Sequence, residues 1–102
     1  MIMKINLTAI IQAKPEHIET VKSLLKDMVF NSIKEESCLQ YDLHQSADDP
    51  HIFIFHEVWE NETGFEKHNQ QPYIEHFRKV SADLMERPVL IYRTERVEVN
   101  AH

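Results

Sequence analysis

Apolar residues recur along this chain with two periods, and each change of period marks the end of an element. From residue 2 to 12 the alternation is twofold: Met3, Ile5, Leu7, Ala9 and Ile11 make one apolar face, while Lys4, Asn6 and Thr8 make a more polar one. Successive side chains of a strand point to opposite faces, so this run predicts a strand. Pro15 suits the first turn of a helix, where its missing amide hydrogen costs nothing, and Glu16 and Glu19 favour the same helix end. Ile18, Val21, Leu24, Leu25, Met28, Val29 and Ile33 then recur at helical spacing, a stripe that must cover a sheet.

Residues 38–46 alternate again, with Leu39, Tyr41 and Leu43 set against Gln40, Asp42 and His44. Residues 47–50 form a turn, which predicts a hairpin with the next run. That third strand, residues 51–60, carries large side chains on both faces: Phe53, Phe55, Glu57 and Trp59 on one, Ile52, Ile54, His56 and Val58 on the other. Asn61 caps a short helix through Phe65 and His68. Pro72 restarts a helix whose face is Ile74, Phe77, Val80, Ser81, Leu84 and Met85, and Pro88 ends it. Residues 89–99 form the last strand. The order β-α-β-β-α-β predicts one α+β domain over residues 1–102, a ferredoxin-like split βαβ fold with a four-stranded antiparallel sheet and both helices on one face. A chain of 102 residues supplies one helix layer, so the other sheet face calls for a second subunit or a bound organic molecule. A homodimer with an apolar pocket is the expectation.

Charge and composition remove several function classes. The formal net charge is −6 and Lys and Arg form no stripe, so a nucleic-acid partner lacks its electrostatic basis. A single cysteine, Cys38, excludes an internal disulfide framework and suits a reducing compartment. No segment reaches the roughly 20 apolar residues of a membrane helix, and the N-terminal residues lack a signal-peptide core, so no membrane partner and a cytoplasmic location are expected. Gly64 is the only glycine, which excludes a Gly-rich phosphate loop and a nucleophile elbow. His51, His56, His68 and His76 lack compact ligand spacing, so no metal site is expected.

The remaining chemistry gathers around the third strand and the helices after it. Trp59 offers a rigid aromatic wall with one indole donor, or simply fills core beside Phe53 and Phe55; Phe55 is a candidate for the same wall. His68 is a candidate general base for a phenolic proton, or an ordinary boundary residue. Asn6 and Thr8 are placed to hydrogen-bond a ligand oxygen, or to meet solvent or an interface. Tyr73 and His76, three apart, share a helix face and line a pocket mouth or merely pack. Arg93 holds an anionic substrate group or pairs with a carboxylate of a second subunit. Glu57 orients a ring nitrogen or joins an interstrand salt bridge.

The segments Glu36-Ser-Cys-Leu-Gln-Tyr-Asp-Leu-His44, Asp49-Pro50, Phe55-His-Glu-Val-Trp-Glu60, His68 and Gln71-Pro-Tyr73 together resemble the antibiotic biosynthesis monooxygenase family. The likeness runs from the Lys14-Pro15 turn through the last strand. It implies a dimeric α/β barrel, a pocket between sheet and helices, and oxidation of a small aromatic or quinol-like substrate by dioxygen with no bound cofactor. It also implies that His68 is the family's helix histidine. This chain departs from the pattern at three places: Ser37 stands where a glycine is typical, Gly64 where an alanine is common, and Tyr73 where histidine is frequent. Three other functions stay open within the resemblance. One is an isomerase of a small hydroxyketone phosphate; another is a haem-degrading enzyme using Asn6, Trp59 and His68; the third is a non-catalytic module that binds a small molecule.

Overall fold

A computed structural model describes residues 3–100. Its elements are β1 (Ile5–Gln12), a 3-10 turn (Pro15–His17), α1 (Ile18–Ser32), β2 (Cys38–Gln45), β3 (Ile52–Trp59), α2 (Glu62–Asn69), α3 (Pro72–Ser81) and β4 (Leu90–Thr94). The sheet is antiparallel, in the order β2-β3-β1-β4, so each β-α-β connection passes over one strand and β3 and β1 are neighbours at its centre. The β-α-β-β-α-β topology expected from the pattern is present. The barrel is not: β2 and β4 are open edges, and the sheet does not close on itself. Closing a sheet requires enough strands, tilted and staggered, to enclose a core, and four strands covered by helices on one face have their core beside the sheet instead.

The alternation predicted along β1 and β3 decides what is buried. Ile5, Leu7, Ala9 and Ile11 pair with Trp59, Glu57, Phe55 and Phe53, and all eight face the helices and are buried. Val21, Leu25, Met28 and Ser32 of α1 lie on them. The opposite face carries Ile10, Ile52, Ile54 and Val58, half-buried, and its β4 members Leu90 and Tyr92 are exposed.

Several boundaries differ from the periodicity, each for a local reason. β1 begins at Ile5, and Ile2 of the expected strand lies outside the described residues. β4 stops at Thr94 rather than residue 99, because Thr94 pairs with Asn6 and β1 offers only one more residue beyond it. The last helix stops at Ser81; a turn closed by Leu84 N–H on the Ser81 carbonyl (2.9 Å) leads to a bridge between Met85 and Ala13. Leu39 does not share the buried face of Tyr41, because a bulge between Cys38 and Gln40 re-aims it and leaves it exposed. Ile33, the end of the predicted α1 stripe, also lies exposed beyond the helix.

Candidate functional site

The break between α2 and α3 builds the site. Asn61, extended at φ −162°, accepts the Gly64 N–H through its side chain at 2.8 Å and starts α2. The helix runs only to Asn69. Gln71 is extended, Pro72 takes the first position of α3, and Gln71 N–H bonds the His68 carbonyl at 3.1 Å. His68 and Tyr73, five residues apart, thereby face one point. The third member comes from the turn after α1, where Glu35 N–H bonds the Ser32 carbonyl and Cys38 N–H bonds the Glu35 carbonyl, both at 3.0 Å.

At that point His68 Nδ1 lies 2.7 Å from Glu35 Oε2. The Tyr73 hydroxyl donates to the same oxygen and stands 3.3 Å from His68 Nδ1 and 3.2 Å from Ser32 Oγ. Gln71 Nε2 reaches Glu35 Oε1 at 3.4 Å. The indole of Trp59 covers the imidazole with ring centres 4.3 Å apart, and Tyr41 and Phe65 stand around it at 5.8 and 6.4 Å. Below this layer Trp59 Nε1 donates to Glu57 Oε1 at 2.9 Å, and Phe55 packs on Tyr41 at 4.9 Å.

Burial sets the electrostatics. Trp59 is fully buried and His68 is 4% exposed, whereas the Glu35 side chain keeps 13% of its surface at the rim. Desolvation lowers the His68 pKa below the ordinary imidazole value, against the hydrogen bond and charge of Glu35, which pull it up. The ring is therefore neutral at neutral pH. Glu57 is pushed up to about 7 by burial, despite the hydrogen bonds from Trp59 and Tyr41. Burial also raises the Tyr73 phenol well above its ordinary value, with Glu35 adding to the effect, so this hydroxyl is a donor across the physiological range. Burial likewise raises Cys38 to about 11, which keeps the thiol protonated.

The predicted site residues fall into separate places. His68, Trp59, Tyr73, Glu57 and Phe55 come together on the helix face. Asn6 and Thr8 belong to the other face, because they alternate with Ile5 and Leu7; Thr8 Oγ1 lies 3.3 Å from His56 Nδ1 there. Asn6 and Arg93 line an open cleft of about 1090 Å³ with Lys4, Asn61 and Arg96, and Trp59 and His68 are not among its lining residues. Arg93 meets Glu62 of its own chain with both guanidinium nitrogens, at 2.5 and 3.3 Å. His76 is exposed on α3. Glu57 takes the ring-nitrogen role, its partner being the Trp59 indole. The set Asn6, Trp59 and His68 does not converge, and a porphyrin finds no free ring face at a buried tryptophan stacked on a histidine; these residues do not fit haem. Among the described residues no group of three or more His, Cys, Asp or Glu is placed to hold a metal ion, and no helix is long and apolar enough to cross a membrane.

Glu35, Ser32, Tyr41 and Gln71 escaped the sequence reading as site residues. Ser32 carried a signal, since Val21, Leu25, Met28 and Ser32 continue one helical stripe and a polar residue at its end calls for a buried partner. Glu35 carried none: it sits in a polar turn, and only the packing of α2 and α3 brings partners to it.

Residues 5–80 match the family model described as antibiotic biosynthesis monooxygenase, and the chain belongs to that family. Membership places it in an oxidoreductase family of the monooxygenase class. Among individual proteins it is similar to YcnE of Bacillus subtilis, named as a candidate monooxygenase, with 32% identity over 92 residues, 90% of this chain and 97% of YcnE. An uncharacterized Synechocystis protein, sll1783, is 31% identical over 81 residues, which are 79% of this chain but only 55% of that longer protein. The crystal structure of PA3566 from Pseudomonas aeruginosa superposes with a TM-score of 0.88 at 33% identity, covering 93% of this chain and 95% of that one.

Proposed function

We propose that the protein is a cofactor-independent monooxygenase that oxidises a small phenolic or quinol-like substrate with dioxygen, working as a homodimer. The observation that carries the proposal is the Glu35–His68 pair, 2.7 Å apart, backed by the Trp59 indole and already engaged with a phenolic hydroxyl. A substrate phenol meets Glu35 Oε2 first, and the pair acts as the base. The neutral imidazole holds the Glu35 side chain in place through their 2.7 Å contact. Enclosure by aromatic rings favours a planar substrate and excludes water from the anion.

Once deprotonated, the phenolate is electron-rich enough to give one electron to dioxygen. The resulting superoxide and phenoxyl radical combine to form a carbon–oxygen bond, and the oxygen–oxygen bond then breaks. One oxygen atom stays in the product; the other leaves as water with two hydrogen atoms of the substrate. Homodimerisation is supported by the sheet's second face, where Ile10, Ile52, Ile54 and Val58 are half-buried and Leu90 and Tyr92 exposed. Light scattering on the eluting protein should give twice the chain mass of 12.1 kDa, and a single-chain mass at micromolar concentration would remove the dimer.

Oxygen uptake measured across a panel of hydroquinones and phenols tests the chemistry. Catalysed uptake should fall by about two to four orders of magnitude in His68→Ala, the usual range for a general acid–base group. His68→Ala that is folded and turns over at the wild-type rate would remove this pair from the mechanism.

A further inference from the structure

We propose that Tyr73 is a built-in competitor for the site's own ligand: its phenol occupies the place at Glu35 and His68 that a phenolic ligand takes, and it swings out when one binds. This rests on the Glu35–His68 pair being the phenol-binding site proposed above.

Three polar atoms from three elements meet one phenolic oxygen. The Tyr73 hydroxyl donates to Glu35 Oε2, lies 3.2 Å from Ser32 Oγ of α1 and 3.3 Å from His68 Nδ1 of α2. Ser32 is fully buried and His68 nearly so, which leaves them little access to water, and buried polar groups demand a partner. Any ligand hydroxyl reaching Glu35 must therefore take over the contacts that Tyr73 now makes. Only an aromatic hydroxyl replaces both what the oxygen does and the space the ring fills.

Tyr73 is placed to leave. It stands second in α3, directly after the extended Gln71 and Pro72, and it is half-buried rather than sealed in. A side-chain rotation toward solvent vacates the site without moving either helix. The acceptor is a carboxylate, so it gains more from a more acidic donor. Phenols and hydroquinones more acidic than tyrosine displace Tyr73, while aliphatic alcohols do not. In the resting protein the competition lowers apparent affinity by the fraction of molecules with Tyr73 out.

Titration with 4-nitrophenol, followed by its visible absorbance and by equilibrium dialysis, tests this. The control is 4-nitroanisole, which has nearly the same shape and no acidic proton. Tyr73→Phe keeps the ring volume and so guards against misfolding, which thermal unfolding checks; Tyr73→Ala also opens the space. Both variants should bind 4-nitrophenol about ten- to a hundredfold more tightly than wild type, the scale of a hydrogen bond to a charged group. Adding Glu35→Gln to Tyr73→Phe should abolish the gain, and 4-nitroanisole should show none with Tyr73→Phe. Affinity in Tyr73→Phe equal to or weaker than wild type would overturn the proposal, as would an equal gain for 4-nitroanisole. In wild type, the NMR signal of the Tyr73 ring should shift on saturation; a bound ligand beside an unmoved Tyr73 signal also overturns it. The binding assay consumes no oxygen. Tight, gated binding without oxygen uptake therefore defeats the monooxygenase chemistry alone, and uptake with ungated binding defeats the gate alone.

Discussion

Replacing the chain's only glycine with alanine should destabilise it, although Gly64 has no positive φ and lies inside a helix where alanine is normally the better residue. Helix propensity by itself predicts that Gly64→Ala stabilises by about 1 kcal/mol. Packing predicts the reverse. A Cβ on Gly64 would stand 2.1 Å from Ser37 Oγ and 2.2 Å from Ser37 Cβ. Rotating the serine hydroxyl away relieves the first contact but not the second, because Cβ is fixed to the backbone. The Ser37 backbone is itself held by the Glu60 N–H on its carbonyl at 2.8 Å. Forcing an extra carbon into packed surroundings costs about 1–3 kcal/mol. Displacing the first turn of α2 also weakens the Asn61 cap on Gly64, worth about 1 kcal/mol. Net destabilisation of about 1–3 kcal/mol follows, or roughly 4–20 °C in Tm for a domain of this size. The family resemblance implies glycine at 37 and alanine at 64, the reverse of the Ser37 and Gly64 of this chain. The double variant Ser37→Gly with Gly64→Ala should recover most of the loss, with a coupling of about 1–3 kcal/mol in a urea-denaturation cycle. Gly64→Ala as stable as wild type, or a double variant no more stable than Gly64→Ala alone, would show that the two side chains do not clash.

Folded Glu57 keeps its proton up to about pH 7, while an ordinary glutamate releases it near 4.5, so the native state binds more protons in that window and loses stability as pH rises through it. Glu57→Gln removes this titration, so its stability relative to wild type should improve by up to roughly 3 kcal/mol between pH 4.5 and 8. Parallel urea-denaturation profiles at the two pH values would contradict the burial-raised acid. For His68, Glu35→Gln should lower the imidazole pKa further, because the carboxylate's hydrogen bond and charge are what oppose desolvation. An NMR titration of the His68 ring decides this, and an upward or absent shift would mean that Glu35 does not govern it. The same variant should suppress oxygen uptake at least tenfold if the pair is the base, a loss of about 1.4 kcal/mol in transition-state stabilisation. Wild-type uptake in folded Glu35→Gln would leave the carboxylate without a catalytic part.

Period and punctuation were enough for the element order. Alternation along β1 and β3, the α1 stripe and the two helix-initiating prolines each express a constraint local to a few residues, and the topology follows because few arrangements satisfy β-α-β-β-α-β. The resemblance also directed attention to Trp59, His68 and Tyr73, which do meet in space. Where an element stops is less local. β4 ends for want of a partner on β1, and Leu39 turns outward because β2 slips by one residue against β3.

The site itself was decided by tertiary structure. Glu35 in its turn, Ser32 at the end of the α1 stripe, and His68 and Tyr73 across a helix break span more than 40 positions of the chain. No periodicity links them, because each follows the rhythm of its own element. The separation of Asn6 and Thr8 from this cluster came from strand alternation, visible in the chain; the cluster's membership came from packing, which it does not display. A linear pattern records which face a residue takes, and only the folded layers determine what that face meets.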